Sequence, residues 1–456
     1  MRADSPWTPR LAPAAGLAHE RLTTALAEDI LSGVLPVGAR LPAHRDLAAA
    51  VGLSVGTVTR AYATLQRRGL ARGEHGRGMF VIAAPARAAG RVDLSVNLPP
   101  PMLTPKLLAE LLAEAASGLD PQGFTAYAPP AGLPQYRTRL AQHLAQSRGL
   151  SVDAGHLLLT SGAQHAIFVA VAAAPAGPVA VEAFTYPLAL AALRRMGRRP
   201  VGIALDAEGI VPEALEAALQ GPEPPRLLYL VPTLQNPTGA TMGAERRARL
   251  VALARRHDLL IVEDDVYAVL APEAPPALAQ LAPERTLHLG SFSKSLAPGL
   301  RLGYLACPPA LVGTCLDWLQ ATSSMANPLA CRIMQASLDG GLLASVATSI
   351  RQEASRRNRL ARRILGGAVA PTGPDALHLW LPMAASRARE IVRRAAARDI
   401  LMAPPDAFMA DPEASEAGLR LCLGNVPDPD LAPALEAIAA MVQNEASARV
   451  DERAIV

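Results

Sequence analysis

Between residues 156 and 308 six short apolar runs recur, HLLLTSG, PVAVEAF, RLLYLVP, LLIVEDD, TLHLGSF and LGYLACP, separated by Ala-rich amphipathic stretches. Runs this short and this continuously apolar suit strands buried on both faces, and their alternation with helical segments predicts an α/β sandwich around a mostly parallel sheet. In such a sheet, ligands gather at the carboxyl ends of the strands. The composition agrees: 50% of the 456 residues are hydrophobic and 18% charged, which excludes a disordered or tail-like protein.

Charge divides the chain. Up to residue 90 there are 11 Arg against 6 acidic residues, a net of +5, whereas the remainder carries 33 basic against 34 acidic residues, a net of −1. A polyanion would therefore bind at the front. Residues 83–91, AAPARAAGR, have the composition of a linker, which sets an expected division into 1–82, 83–91 and 92–456.

Within the first segment, Leu22, Leu26 and Ile30 recur at helical spacing before Ser32 and Gly33; a short second helix, His44–Val51, stops at Gly52; and Val58, Ala61 and Leu65 mark a third. The opposite face of the third helix carries Thr57, Arg60, Thr64 and Arg67. GLARGEHGRGMFVI then reads as a tight hairpin with Arg72 and Arg77. Helix, turn, helix and basic hairpin make a winged helix-turn-helix, whose second motif helix enters the major groove of double-stranded DNA while the wing touches phosphate.

The second segment has only one lysine in a chemically telling place. Of the basic residues 42 are Arg and two are Lys, a bias that codon usage would produce. Lys106, in LTPKLLAELL, reads as helix surface. Lys294, in SFSKSLAPGLRLGY, follows an apolar strand, is flanked by Ser291, Ser293 and Ser295, and stands seven residues before Arg301. An amine there can join an aldehyde cofactor as a Schiff base, and the guanidinium can hold a phosphate. Other strand ends supply matching parts in order. TSGAQHAI places Gly162, Ala163 and Gln164 at a helix start, where free N–H groups suit a phosphate; QNPTG places Asn236 in a turn, where it can meet a phenolic oxygen; EDDVY places Asp264, able to keep a pyridine nitrogen protonated, three residues before Tyr267. Singly these are a plain helix start, a β-turn and a solvated strand end. Together, each after a strand, they form a constellation.

The run from Leu22 to Val81 resembles the DNA-binding domain of GntR-type regulators, which implies that Arg45, Ser54, Thr57, Arg60 and the wing with Arg77 face DNA. Some relatives carry Arg where this chain has Val55 and Thr59. Residues 92–456 resemble the fold type I aminotransferases that use pyridoxal 5′-phosphate, with a smaller C-terminal α+β subdomain. That resemblance implies that Lys294 carries the cofactor, Asp264 pairs with its pyridine nitrogen, Asn236 and Tyr267 contact its ring hydroxyl, and Ala163, Gln164, Ser291, Ser293 and Arg301 hold its phosphate. It further implies that Tyr186 stacks on the ring, Tyr127 reaches the phosphate of the neighbouring subunit in a homodimer, and Arg420 receives a substrate carboxylate. Ala163 stands where many relatives have a hydroxyl, and Phe184 where many have Pro in an ExPxY turn.

Both halves together resemble the MocR-type transcription regulators. The implied function is a cofactor-dependent regulator that senses an amine, amino acid or B6 vitamer. A working aminotransferase with an accessory DNA-binding segment is the alternative, and a cofactor-free dimerisation scaffold is a third reading that Lys294 speaks against. Cys307, Cys315, Cys331 and Cys422 lack disulfide-framework or zinc-ligand spacing, and the front of the chain, MRADSPWTPR, lacks an apolar core; a cytoplasmic protein with no metal and no membrane span is expected.

Overall fold

The computed structural model describes residues 7–11, 17–31, 34–67, 70–74, 78–82, 91–371, 373 and 375–453. The chain separates into two compact units, one built on Met1–Arg91 with Met102–Glu110 and Pro427–Pro433, the other on Val92–Pro101, Leu111–Val426 and Ala434–Val456.

In the first unit, α1 (Ala18–Leu31), α2 (His44–Val51) and α3 (Val55–Arg67) precede the hairpin of β1 (Ala71–Glu74) and β2 (Gly78–Val81), in which Ala71 pairs with Val81 and Glu74 with Gly78. The three expected stripes converge. Leu22, Leu26, Leu47, Val58, Ala61 and Leu65 are fully buried, and Ile30 packs against them. Gly52 ends α2 as expected: its φ of +66° lies in the left-handed region, which its lack of a Cβ allows without strain, and its N–H closes the last turn on the Ala48 carbonyl. Ser54 starts α3 by accepting the Thr57 N–H at 3.1 Å. Ahead of α1, Trp7 is buried and donates its indole N–H to Asp29 at 2.6 Å. The expected end of α1 at Ser32 and Gly33 lies outside the described residues.

The second unit is organised by a seven-stranded sheet of β3 (Leu157–Thr160), β4 (Val179–Glu182), β5 (Pro200–Ile203), β6 (Leu227–Leu230), β7 (Leu260–Asp264), β8 (Thr286–Ser291) and β9 (Gly303–Ala306). Their spatial order is β3-β9-β8-β7-β6-β4-β5, with β9 antiparallel to both neighbours and every other pair parallel. Six of these strands are the six apolar runs. The seventh, β5, was not among them because it is an edge strand that opens on Pro200 and is fully buried only at its last residue, Ile203. Helices α4 (Ala163–Ala173), α5 (Pro187–Arg195) and α6 (Ala244–Arg256) follow β3, β4 and β6. Leu250, Val251 and Ala254 of α6 pack on Ala180, Leu228, Leu230 and Ile261 of the sheet. Each buried Leu or Ile contributes roughly 1.5–3 kcal/mol relative to exposure. Further along, β10 (His378–Ala384) and β11 (Glu416–Cys422) form an antiparallel pair that sets Trp380 opposite Arg420, with α7 (Ala385–Ala396) following β10.

Candidate functional site

Side-chain alternation along the end of β7 and the residue after it sorts three consecutive acids. Glu263 and Asp265 turn one way. Glu263 accepts the backbone N–H groups of Leu278 and Ala279 at 2.7 and 2.9 Å and lies 3.0 Å from His288 Nδ1, while Asp265 pairs with Arg148 at 3.2 Å. Asp264 turns the other way, where the hydroxyl of Tyr229 donates to it at 2.8 Å. Tyr229 pairs in register with Val262, two residues before Asp264, which puts both side chains on one face. Burial pushes the Asp264 carboxyl up to about 6, against the opposing pull of the Tyr229 hydrogen bond.

Lys294 follows β8 by three residues, on a turn where Ser291 Oγ accepts the Ser293 N–H at 3.3 Å. Its Nζ donates to the Asn97 carbonyl oxygen and lies 5.6 Å from the Tyr267 ring centroid. The residue keeps partial exposure, but its amine is desolvated, and burial brings it down to about 8; the Arg420 charge pushes the same way.

Tyr267 is buried where two amides meet. Its hydroxyl oxygen accepts from Asn97 Nδ2 at 2.9 Å and from Asn236 Nδ2 at 3.3 Å. Asn236 Oδ1 in turn accepts from Arg420 at 2.9 Å, and the same guanidinium donates to the Ser95 carbonyl at 2.5 Å and lies 4.7 Å from the Phe408 ring. The QNPTG loop is fixed by Gln235, which accepts from Thr238 N and Oγ1 and donates to Glu182 at 2.9 Å and the Phe184 carbonyl at 2.8 Å. Glu182 also accepts from Thr185 at 2.8 Å and Val231 N at 3.2 Å, so this fully buried acid ties the turn before Tyr186 to the loop carrying Asn236. Tyr186 caps α5 half-buried, its phenol pushed up to about 12 by burial and then by Asp264.

At the end of β3, Gly162 adopts φ +85° and Ala163 and Gln164 open α4, whose first N–H groups have no acceptor within the helix. The Gln164 side chain donates sideways to the Leu188 carbonyl at 3.0 Å, which leaves the main chain as this residue's contribution to the turn. The turn is crowded from two sides. A Cβ on Gly162 would come within 2.8 Å of Arg301 Nη2, and one on Gly303 within 2.7 Å of the Gly162 carbonyl carbon. Arg301 is exposed, in left-handed backbone at φ +50°. Tyr127 joins none of these hydrogen bonds among the described residues. It is 87% exposed and lines a cavity of about 430 Å³ with Phe124, Ser161 and Met325.

On the first unit, Arg45, Ser54 and Arg60 are exposed and Thr57 half-buried; the Ser54 and Thr57 hydroxyls share a hydrogen bond of 2.8 Å. Arg77 and the tip of the hairpin lie outside the described residues. Val55 is 45% exposed in the first turn of α3. A cation the sequence reading passed over, Arg40, lies along the wing, within 3.0 Å of where a Cβ on Gly78 would stand.

Sequence reasoning also missed Asn97, Tyr229 and His378. The available signal was weak: single polar residues inside apolar runs. All four cysteines are free and buried. Among the described residues no helix is long and apolar enough to cross a membrane, and no cluster of His, Cys, Asp and Glu could hold a metal ion.

Residues 90–438 match the family "Aminotransferase class I and II", and residues 18–81 match "Bacterial regulatory proteins, gntR family". The chain is 28% identical over 386 residues to the uncharacterized HTH-type transcriptional regulator YdeF of Bacillus subtilis, covering 82% of this chain and 83% of that protein. It is 34% identical over 327 residues to the uncharacterized HTH-type transcriptional regulator YjiR of Escherichia coli, covering 63% and 68%. The chain belongs to the MocR-type transcription regulators. This MocR-type chain is also similar to the crystal structure of Pyrococcus horikoshii kynurenine aminotransferase in complex with PMP, at a TM-score of 0.70 and 27% identity, over 78% of this chain and 92% of that one. Pyridoxal 5′-phosphate is the cofactor of its aminotransferase domain. The residues fit that group: a primary amine brought down to about 8, a buried carboxyl at a strand end, a phenol held by two amides, and a helix N-terminus beside a guanidinium.

Proposed function

We propose that in this regulator the aminotransferase domain reads a small amine, amino acid or B6 vitamer and passes the result to the DNA-binding domain. The carrying observation is that Arg420, Asn236, Tyr267, Asn97 and Lys294 form one continuous hydrogen-bonded set. A ligand that engages Arg420 thereby perturbs the residues around the cofactor amine.

Bound pyridoxal phosphate supplies an electron sink for charge developing at an amino acid's α-carbon. In this reading Lys294 would hold it covalently, and its Nζ would be the group that moves a proton. Asp264, oriented by Tyr229, holds the ring nitrogen protonated. Asn236 and Tyr267 hold the ring oxygen, and Tyr186 stacks on the ring. The N–H groups of Ala163 and Gln164, the hydroxyls of Ser291 and Ser293, and Arg301 bind the phosphate. Arg420 orients a carboxylate. Tyr127, exposed on the subunit, serves the site of a second copy in a homodimer. Residues 1–82 read DNA through Arg45, Ser54, Thr57, Arg60 and Arg77, a linker spans 83–91, and 92–456 bind the cofactor. The protein works in the cytoplasm.

A ligand shifts DNA binding only if it binds the two conformations with different affinity. The test is retardation of DNA from upstream of the protein's own gene, with and without pyridoxal phosphate and at two salt concentrations. Sequence-dependent retardation that responds to the cofactor or an amine is the expected result; retardation identical for unrelated DNA at matched salt would sink the reading. The same residues also suit an aminotransferase. Complete conversion of the bound cofactor to its pyridoxamine form by an amino acid, and back by a 2-oxo acid, would make turnover the main role.

A further inference from the structure

His378 takes no part in the roles set out above, yet it is fully buried beside them. It stands on β10 with Nε2 3.0 Å from the Gln235 carbonyl oxygen and Nδ1 3.0 Å from Asn97 Nδ2. A backbone carbonyl can only accept, so Nε2 must carry a hydrogen. Burial, with Arg420 and then Lys294 adding repulsion, brings the imidazole down to about 3, so it holds no second proton at neutral pH. Nδ1 is therefore an acceptor and requires a donor. That requirement decides which way the Asn97 amide faces. Its nitrogen is turned to His378 and Tyr267, and its oxygen, buried, has no partner among the described residues.

The second amide is fixed independently. Arg420 can only donate, so Asn236 presents its oxygen to Arg420 and its nitrogen to Tyr267. The Tyr267 oxygen thus receives two N–H donors, and its own hydrogen has to point elsewhere.

We infer that His378 is a positioning residue which, through Asn97, commits the Tyr267 hydroxyl to donate its proton toward the cofactor's ring oxygen. The Gln235 carbonyl fixes the polarity of His378, and His378 in turn fixes that of Asn97 and, through it, of the Tyr267 hydroxyl. The inference rests on the proposed role of Tyr267 at that oxygen. A donor there stabilises the anionic oxygen and eases loss of the proton it shares with the neighbouring nitrogen, so the visible absorbance of bound pyridoxal phosphate titrates at lower pH.

The experiment is a pH titration of that absorbance in the full-length protein loaded with pyridoxal phosphate. Y267F raises the midpoint by about one unit. H378L and N97A raise it in the same direction, and H378L adds nothing on top of Y267F. H378Q, whose amide can accept from Asn97 and donate to the Gln235 carbonyl, keeps the parent midpoint. An H378L or N97A midpoint equal to the parent's while Y267F is shifted overturns the inference; so does an H378L effect that persists undiminished in Y267F. Nitrogen NMR of the cofactor-free parent protein carries the test even if H378L does not fold. A neutral His378 with hydrogen on Nε2 at pH 7 is required, and hydrogen on Nδ1 or a charged ring refutes it. A parent protein with no visible band would instead overturn the cofactor reading itself and leave the NMR result standing.

Discussion

On α3 and at its cap, Ser54, Val55 and Arg60 stand exposed, whereas around the end of β7 Asp264, Tyr229 of β6 and Tyr267 are buried and each is hydrogen-bonded to another side chain. The contrast separates two ways of storing function. A solvated cation gains its interaction energy only when a polyanion arrives, so each can be removed for a graded loss. A buried network has its partners already, and taking one away leaves another unsatisfied at about 1–3 kcal/mol.

The sharpest way to break this contrast is Lys294→Ala, which is expected to abolish covalent attachment of pyridoxal phosphate and its visible absorbance while leaving the first unit folded by circular dichroism. Parent and variant alike without visible absorbance would revive the cofactor-free scaffold reading. Next, Arg60→Ala is expected to weaken DNA binding about tenfold at low salt and lower the slope of log affinity against log salt by about one. An unchanged slope would remove Arg60 from the phosphate contacts. A smaller effect concerns Glu182. Burial pushes this carboxyl from 4.5 up to about 8, so between those values the folded protein binds more protons than the unfolded chain and stability falls as pH rises. Glu182→Gln removes that fall. The melting temperature of cofactor-free parent protein relative to the variant should therefore decline from pH 6 to pH 8.5, and parallel curves would show that the three donors on Glu182 keep it ionised. The smallest effect is expected for Lys106→Ala. This lysine is exposed, 3.7 Å from Glu110, which is exposed as well, and its loss should alter neither absorbance nor melting temperature by a measurable amount.

The sheet was legible because a strand buried on both faces leaves an unbroken apolar run, and for the same reason the half-buried edge strand Pro200–Ile203 was not. In the first unit the end of α2 was legible from local chemistry, with Gly52 as the stop, whereas the cap that Ser54 provides for α3 was not read from the sequence. At the site, Lys294, Asp264 and Asn236 lie in short segments whose residue types declare a chemistry. Asn97 and His378 do not. They meet across 281 positions of chain, and each acts by supporting another side chain, so neither needs a surrounding pattern that marks it in the sequence. Glu182 was visible within VEAFTYP, but its role depends on Gln235, which only the folded loop brings to it.

The chain contains four thiols, and all four are buried and free. A cysteine introduced at an exposed position would therefore be the single rapidly reactive sulfur under mild conditions. Two such cysteines, at Arg60 on α3 and at Tyr127 beside the cavity, could be labelled together in solution with no native cysteine to be removed first.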